Sequence, residues 1–103
     1  MDIINATGRR KRSIARVYLT SGSGKITVNG KDYKKYFPQI HVPGIISDPL
    51  STVDVLSLYD IKVNVKGGGF KGQAEAVRMD ISRALIQINE EFRVPLKTKK
   101  FLR

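Results

Sequence analysis

The chain has 103 residues, 41% of them hydrophobic, which suits one ordinary domain with a single core and argues against wholesale disorder. Nineteen basic residues face nine acidic ones, and the resulting net charge of +10 points to a polyanionic partner, nucleic acid ahead of an anionic membrane surface. The absence of cysteine excludes a disulfide framework and a thiolate metal site, and no apolar run approaches the roughly 20 residues that a membrane span needs.

The opening, Met1 to Gly8, is too short and polar for the apolar stretch of a signal peptide. Four basic residues then stand in a row, Arg9, Arg10, Lys11 and Arg12, with Arg16 close behind. Such a run neutralises phosphates and releases counterions, and arginine adds a planar fork for bidentate phosphate contact. The plainer alternative is a solvated charge run. Against it, four adjacent cations repel one another, and the run leads into a strand that would hold them on a rigid base. Ala15, Val17 and Leu19 alternate with Ile14, Arg16 and Tyr18, the period of a strand. Ser21 to Gly24 reads as a turn and Lys25 to Val28 as the returning strand, closed by the Asn29-Gly30 turn signal. Lys31 to Phe37 fits either a short strand or a helical turn, and Pro38 and Pro43 mark a loop. Asp48-Pro49 is expected to start a helix, as N-cap and first helical residue, turning Leu50, Val53, Val55 and Leu56 inward.

Tyr59 to Lys66 alternates most cleanly, with Tyr59, Ile61, Val63 and Val65 on one face. Gly67, Gly68 and Gly69 stop it. From Gln73 to about Asn89 the period becomes helical, with an apolar stripe of Val77, Ile81, Ala84, Leu85 and Ile88. Glu75/Arg78 and Asp80/Arg83 are expected to pair on the exposed side of that helix. Residues 1–92 are read as a single globular domain, RNA-binding if the resemblance described below holds, and 93–103 as a basic extension, with Arg93, Lys97, Lys99, Lys100 and Arg103 and no acidic residue.

The segment Lys66-Gly67-Gly68-Gly69-Phe70-Lys71-Gly72-Gln73 joins a strand to a helix. Free N–H groups and the positive end of the helix dipole make an anion site there, and glycines let a phosphate approach. A tight turn requiring positive φ would explain the glycines without a ligand, but beside so basic a surface phosphate contact is favoured. Gly22 to Thr27 only imitates a nucleotide-binding P-loop. Leu19 stands where that pattern needs glycine, Ile26 where it needs Ser or Thr, and the segment lies between two strands. His41 lies between two prolines with no cysteine or evident carboxylate partner, and no metal-ligand spacing is visible. No enzyme, cofactor or small-molecule substrate is therefore expected. Tyr18 shares a strand face with Arg16 and can stack on a base, whereas most other aromatics read as core.

Two segments together carry a family resemblance. Thr7-Gly-Arg-Arg-Lys-Arg-Ser-Ile-Ala-Arg-Val17 with Gly22 to Gly30, and Tyr59 to Gln73 continuing through Ala76, Arg78 and Arg83-Ala-Leu85, resemble small-subunit ribosomal protein nine in its bacterial form. The likeness spans essentially the whole chain and is weakest from Gln39 to Leu58. It implies an α/β fold of the α+β two-layer type: a four-stranded sheet with helices on one face, like the C-terminal domain of ribosomal protein five, including a rare left-handed βαβ crossover. It further implies a structural constituent of the small ribosomal subunit that binds the head domain of ribosomal RNA near the transfer RNA sites, beside neighbouring ribosomal proteins. The ribosome implied is cytoplasmic, with an organellar one left open. The matching contact residues are Arg9, Arg10, Lys11, Arg12, the Lys66 to Gln73 loop and Arg78; Arg16, Lys97, Lys99, Lys100 and Arg103 join them on charge. Two positions depart from the family pattern. Asp80 stands where a small residue is usual. The chain stops at Phe101-Leu-Arg103 where members continue into a basic tail that reaches the peptidyl-site transfer RNA, so that contact is expected only with a longer tail. The rival reading is a non-specific nucleic-acid binder using two basic ends.

Overall fold

Alternating apolar residues build one mixed sheet. The computed structural model describes residues 3–102 and contains β1 (Ile4–Arg10), β2 (Ser13–Ser21), β3 (Ile26–Val28), β4 (Lys31–Asp32) and β5 (Tyr59–Lys66). Their order is β1-β2-β5-β3-β4, with β3 and β5 parallel and the other pairs antiparallel. The sheet thus has five strands rather than four. The additional long strand is β1, whose Asn, Thr, Gly and Arg residues give a weak strand signal. Its pairing along the whole of β2, from Ile4↔Leu19 to Arg10↔Ser13, supplies what local propensity lacks.

Among the described residues four α-helices accompany the sheet, α1 (Tyr33–Tyr36), α2 (Val42–Thr52), α3 (Phe70–Ile88) and α4 (Arg93–Thr98), with a 3-10 turn at Glu90–Phe92 between the last two. Lys31 to Phe37 therefore contains both alternatives, a two-residue strand followed by a single helical turn. Ala15, Val17 and Leu19 of β2 and Ile61, Val63 and Val65 of β5 are buried on one side, against Val77, Ile81, Ala84 and Leu85 of α3 and Ile46 and Leu50 of α2. Ala74, Ala76 and Ala84 of α3 are fully buried as well. Among the described residues, the other side of the sheet carries no helix.

Three expectations are corrected. The second helix starts at Val42, not at Asp48-Pro49. Pro43 occupies its first turn, and Pro49 lies inside it, buried against the core. Leu56 is 46% exposed rather than inward, and Val53 is only partly buried. The C-terminal segment does not trail as an extension: Leu96 is fully buried and Phe101 is 8% exposed, so residues 93–102 are folded onto the domain. The predicted Asn29-Gly30 turn is present, both residues having positive φ (50° and 83°) as a tight hairpin requires. The Asn29 side chain then exchanges two 2.9 Å hydrogen bonds with the Val65 backbone, locking β3 against β5.

Candidate nucleic-acid interface

The basic run occupies the end of β1 and the two-residue turn into β2. Arg10 pairs with Ser13, leaving Lys11 (φ 56°) and Arg12 at the tip. The glycine loop lies directly against this tip. Gly67 and Gly68 have φ of 81° and 66°, and a Cβ on either would stand 2.3 Å from the Arg12 carbonyl oxygen or 2.5 Å from Ser13 Oγ. Glycine is thus required twice over, by conformation and by contact. The Ser13 hydroxyl donates to the Gly67 carbonyl (2.8 Å), which also accepts from Gln73 Nε2 (3.1 Å). Gln73 Oε1 accepts in turn from the Tyr36 hydroxyl (2.9 Å). Gln73, one of the residues expected at the RNA contact, is 7% exposed and holds the shape of the loop from beneath.

Above this support, Lys11, Arg12, Gly68, Gly69, Lys71 and Gly72 line an open cleft of about 380 Å³. The helix α3 begins in it. Gly69 is its N-cap and provides no side-chain cap, so the N–H groups of its first turn face the cleft without a side-chain acceptor. Three cationic side chains, a helix N-terminus and a glycine floor converge here: the ingredients of an anion site.

The remaining expected contacts fall in several places. Arg9, Arg16 and Lys66 are exposed on the helix-free side of the sheet. Arg10 points to the other side and lies 3.7 Å from Glu75, so its charge is partly engaged within the fold. Arg78 sits over the Phe101 ring at 4.9 Å, a cation–π contact that fastens the C-terminal segment to α3. Lys97, Lys99 and Lys100 are exposed near the end of the chain. The two basic ends approach each other in space, since Arg9, Arg83 and Leu102 line one open cleft of about 550 Å³ beside β1. Arg103 lies outside the described residues.

The expected surface pairs on α3 do not form. Glu75 meets Arg10 instead of Arg78, and Arg83 donates to the Thr7 carbonyl at 3.2 Å, covering the edge of β1. Asp80 is fully buried, and neither of its oxygens has a hydrogen-bond partner. Burial pushes its pKa up to about 7 against the opposing pull of Arg83. Asp80 therefore lies inside the fold and not on a surface open to a polyanion. It packs instead against Gly8, where a Cβ would stand 2.0 Å from Oδ1.

The imitation P-loop does cradle an anion, one supplied by the protein itself. Asp60 Oδ1 accepts from the N–H groups of Ser23 (3.0 Å), Gly24 (3.2 Å) and Lys25 (3.0 Å). These N–H groups, that of Lys25 foremost, hold the carboxyl below the usual carboxylate range. The turn is thereby filled and offers no place to a nucleotide phosphate. Sequence reasoning missed the roles of Ser13 and Tyr36, because a clamp of this kind depends on contacts across 54 and 37 residues.

A family model described as Ribosomal protein S9/S16 matches residues 8–103. The chain is 54% identical to the small ribosomal subunit protein uS9 of Amoebophilus asiaticus over 102 residues, covering 99% of this chain and 80% of that protein. It is 50% identical to the uS9 of Porphyromonas gingivalis with the same coverage. Identity to the uS9 of Cytophaga hutchinsonii is 53% over 97 residues, 94% of this chain and 76% of the relative.

Proposed function

This chain belongs to the ribosomal protein S9/S16 family in its bacterial form, a structural and non-enzymatic part of the small ribosomal subunit, and from that premise we propose that it binds the head domain of small-subunit ribosomal RNA near the transfer RNA sites. The interface is the hairpin tip and glycine loop, with Lys11, Arg12 and Lys71 as its charges and the start of α3 as its backbone donor set. The exposed cations of the sheet and of the C-terminal segment extend it, and neighbouring ribosomal proteins complete the surroundings in a cytoplasmic ribosome. The observation that carries this reading is the convergence of the two basic and glycine-rich motifs in one cleft, held by the Ser13–Gly67 hydrogen bond. Its mechanism is phosphate neutralisation on a rigid frame, which recognises RNA by shape, not by reading an extended sequence.

The test is binding of the chain to a head-domain RNA fragment across a salt series, with unrelated duplex RNA as competitor. With about six phosphates contacted, the log–log salt slope is expected near roughly −4 to −5, and binding should resist the competitor. A slope near zero would overturn the RNA reading. Binding that the duplex abolishes would favour the rival, a non-specific nucleic-acid binder using its basic ends.

A further inference from the structure

The helix-free side of the sheet forms a second surface that the cleft does not use. Register places its side chains in rows across the strands: Arg9, Ile14 and Lys66; then Thr7, Arg16 and Asn64; then Asn5, Tyr18, Lys62 and Thr27. Successive rows are about 7 Å apart along a strand. Tyr18 stands among these cations. Two open clefts, of about 520 and 530 Å³, adjoin it, and Tyr18 and Asn64 line both. Among the described residues the Tyr18 ring makes no aromatic or cation–π contact, and its hydroxyl makes no hydrogen bond.

Charge on this surface is graded. Arg9, Arg16, Lys62 and Lys66 lie on β1, β2 and β5, and the Arg9–Lys66 row borders the hairpin tip and the glycine loop. The acidic groups lie at the end away from the glycine loop: Asp60 lines the cleft beside Tyr18, one row beyond it, with its carboxylate held by the N–H groups of the Ser23–Lys25 turn, and Asp32 stands on β4 at the far edge. A polyanion leaving the glycine-loop cleft would therefore find a cationic path toward Tyr18.

We propose that this face binds an unpaired stretch of RNA, with a base stacked on the Tyr18 ring and the flanking phosphates on Arg16, Lys62 and Lys66. The inference rests on the RNA-binding reading above and adds a substrate class to it. Bases in a duplex cover one another's faces, so a half-buried ring that borders open clefts among cations distinguishes single strands from duplex. A duplex would meet this surface through its phosphates alone.

The test uses the full chain with two labelled RNAs, an oligouridylate of about ten nucleotides and a duplex of similar length. Tyr18→Leu should weaken oligouridylate binding roughly five- to a hundredfold while leaving duplex binding unchanged. Tyr18→Phe, which keeps a stacking ring, should bind as the parent does. Oligouridylate should also quench part of the parent's tyrosine fluorescence, and that part should vanish in Tyr18→Phe, a readout that does not depend on how well the leucine variant folds. Equal losses on both RNAs, no loss in Tyr18→Leu, or quenching that persists in Tyr18→Phe would each overturn the proposal. Head-domain RNA binding that is sensitive to Gly68→Val but paired with oligouridylate binding indifferent to Tyr18→Leu would overturn this inference alone. A flat salt slope on head-domain RNA would overturn the reading beneath it.

Discussion

The Ser13 hydroxyl donates a 2.8 Å hydrogen bond to the Gly67 carbonyl, and through it the first basic segment of the chain grips the glycine loop 54 residues later. Ser13 is 1% exposed, so water cannot replace the bond easily. Ser13→Ala should cost roughly 1 kcal/mol of stability, read from denaturant unfolding. It should also lower RNA affinity without altering the salt slope, because no charge is removed. Parent-like affinity and stability would show that the loop holds its shape without this clamp.

Gly68→Val tests the floor of the cleft. Gly68 has φ of 66°, and a Cβ there would stand 2.5 Å from Ser13 Oγ. A β-branched residue resists that conformation and must push the hairpin away. We expect lower RNA affinity together with a lower melting temperature, although the net charge is unchanged. Gly69→Ala is the control, since a Cβ at Gly69 meets nothing within 4 Å. Equal behaviour of the two variants in an RNA titration would remove the geometric argument.

Charge removal should separate exposed from engaged cations. Lys71→Ala should lower the magnitude of the salt slope by about one and leave stability unchanged. Arg10→Ala should lower the melting temperature as well, because Glu75, 3.7 Å away and largely shielded, loses its partner. Adding Glu75→Gln to Arg10→Ala should restore much of the melting temperature. If the double variant melts no higher than Arg10→Ala alone, the ion pair is not what couples Arg10 to stability.

Asp80 predicts an unusual pH dependence. Its folded pKa is raised to about 7 by burial, above an unfolded value near the ordinary 3.8. Below the unfolded value both states are protonated and no penalty exists. Between the two values the folded protein holds a proton that the unfolded chain releases, so this group makes stability fall as pH rises from about 4 to about 7. Above that the penalty is complete, of the order of a few kcal/mol. Asp80→Asn, measured by unfolding across this range, should flatten the decline and melt higher than the parent at pH 8. A parent whose Asp80-dependent stability increases with pH would contradict the burial argument.

Much of the frame was legible in the sequence because it follows from local periodicity. The alternation in β2 and β5, the helical stripe of α3 and the Asn29-Gly30 turn are each set by side chains within a few residues of one another. The same locality explains the errors at element ends. The helix α3 begins at Phe70 instead of Gln73, and α2 begins six residues before the Asp48-Pro49 signal, because packing against the core outweighs a single capping motif.

Charge and glycine placement told which residues could meet a polyanion. The sequence by itself determined that there are two basic clusters and a glycine-rich helix start, since these are matters of composition and short spacing. Only the tertiary structure decided that the hairpin tip and the glycine loop share one cleft, that Arg10 turns to Glu75, that Asp80 is buried against Gly8, and that Phe101 docks under Arg78. These contacts join segments far apart in the chain, and a pairing at such separation is fixed by how strands register and helices pack, not by any pattern a local stretch can carry.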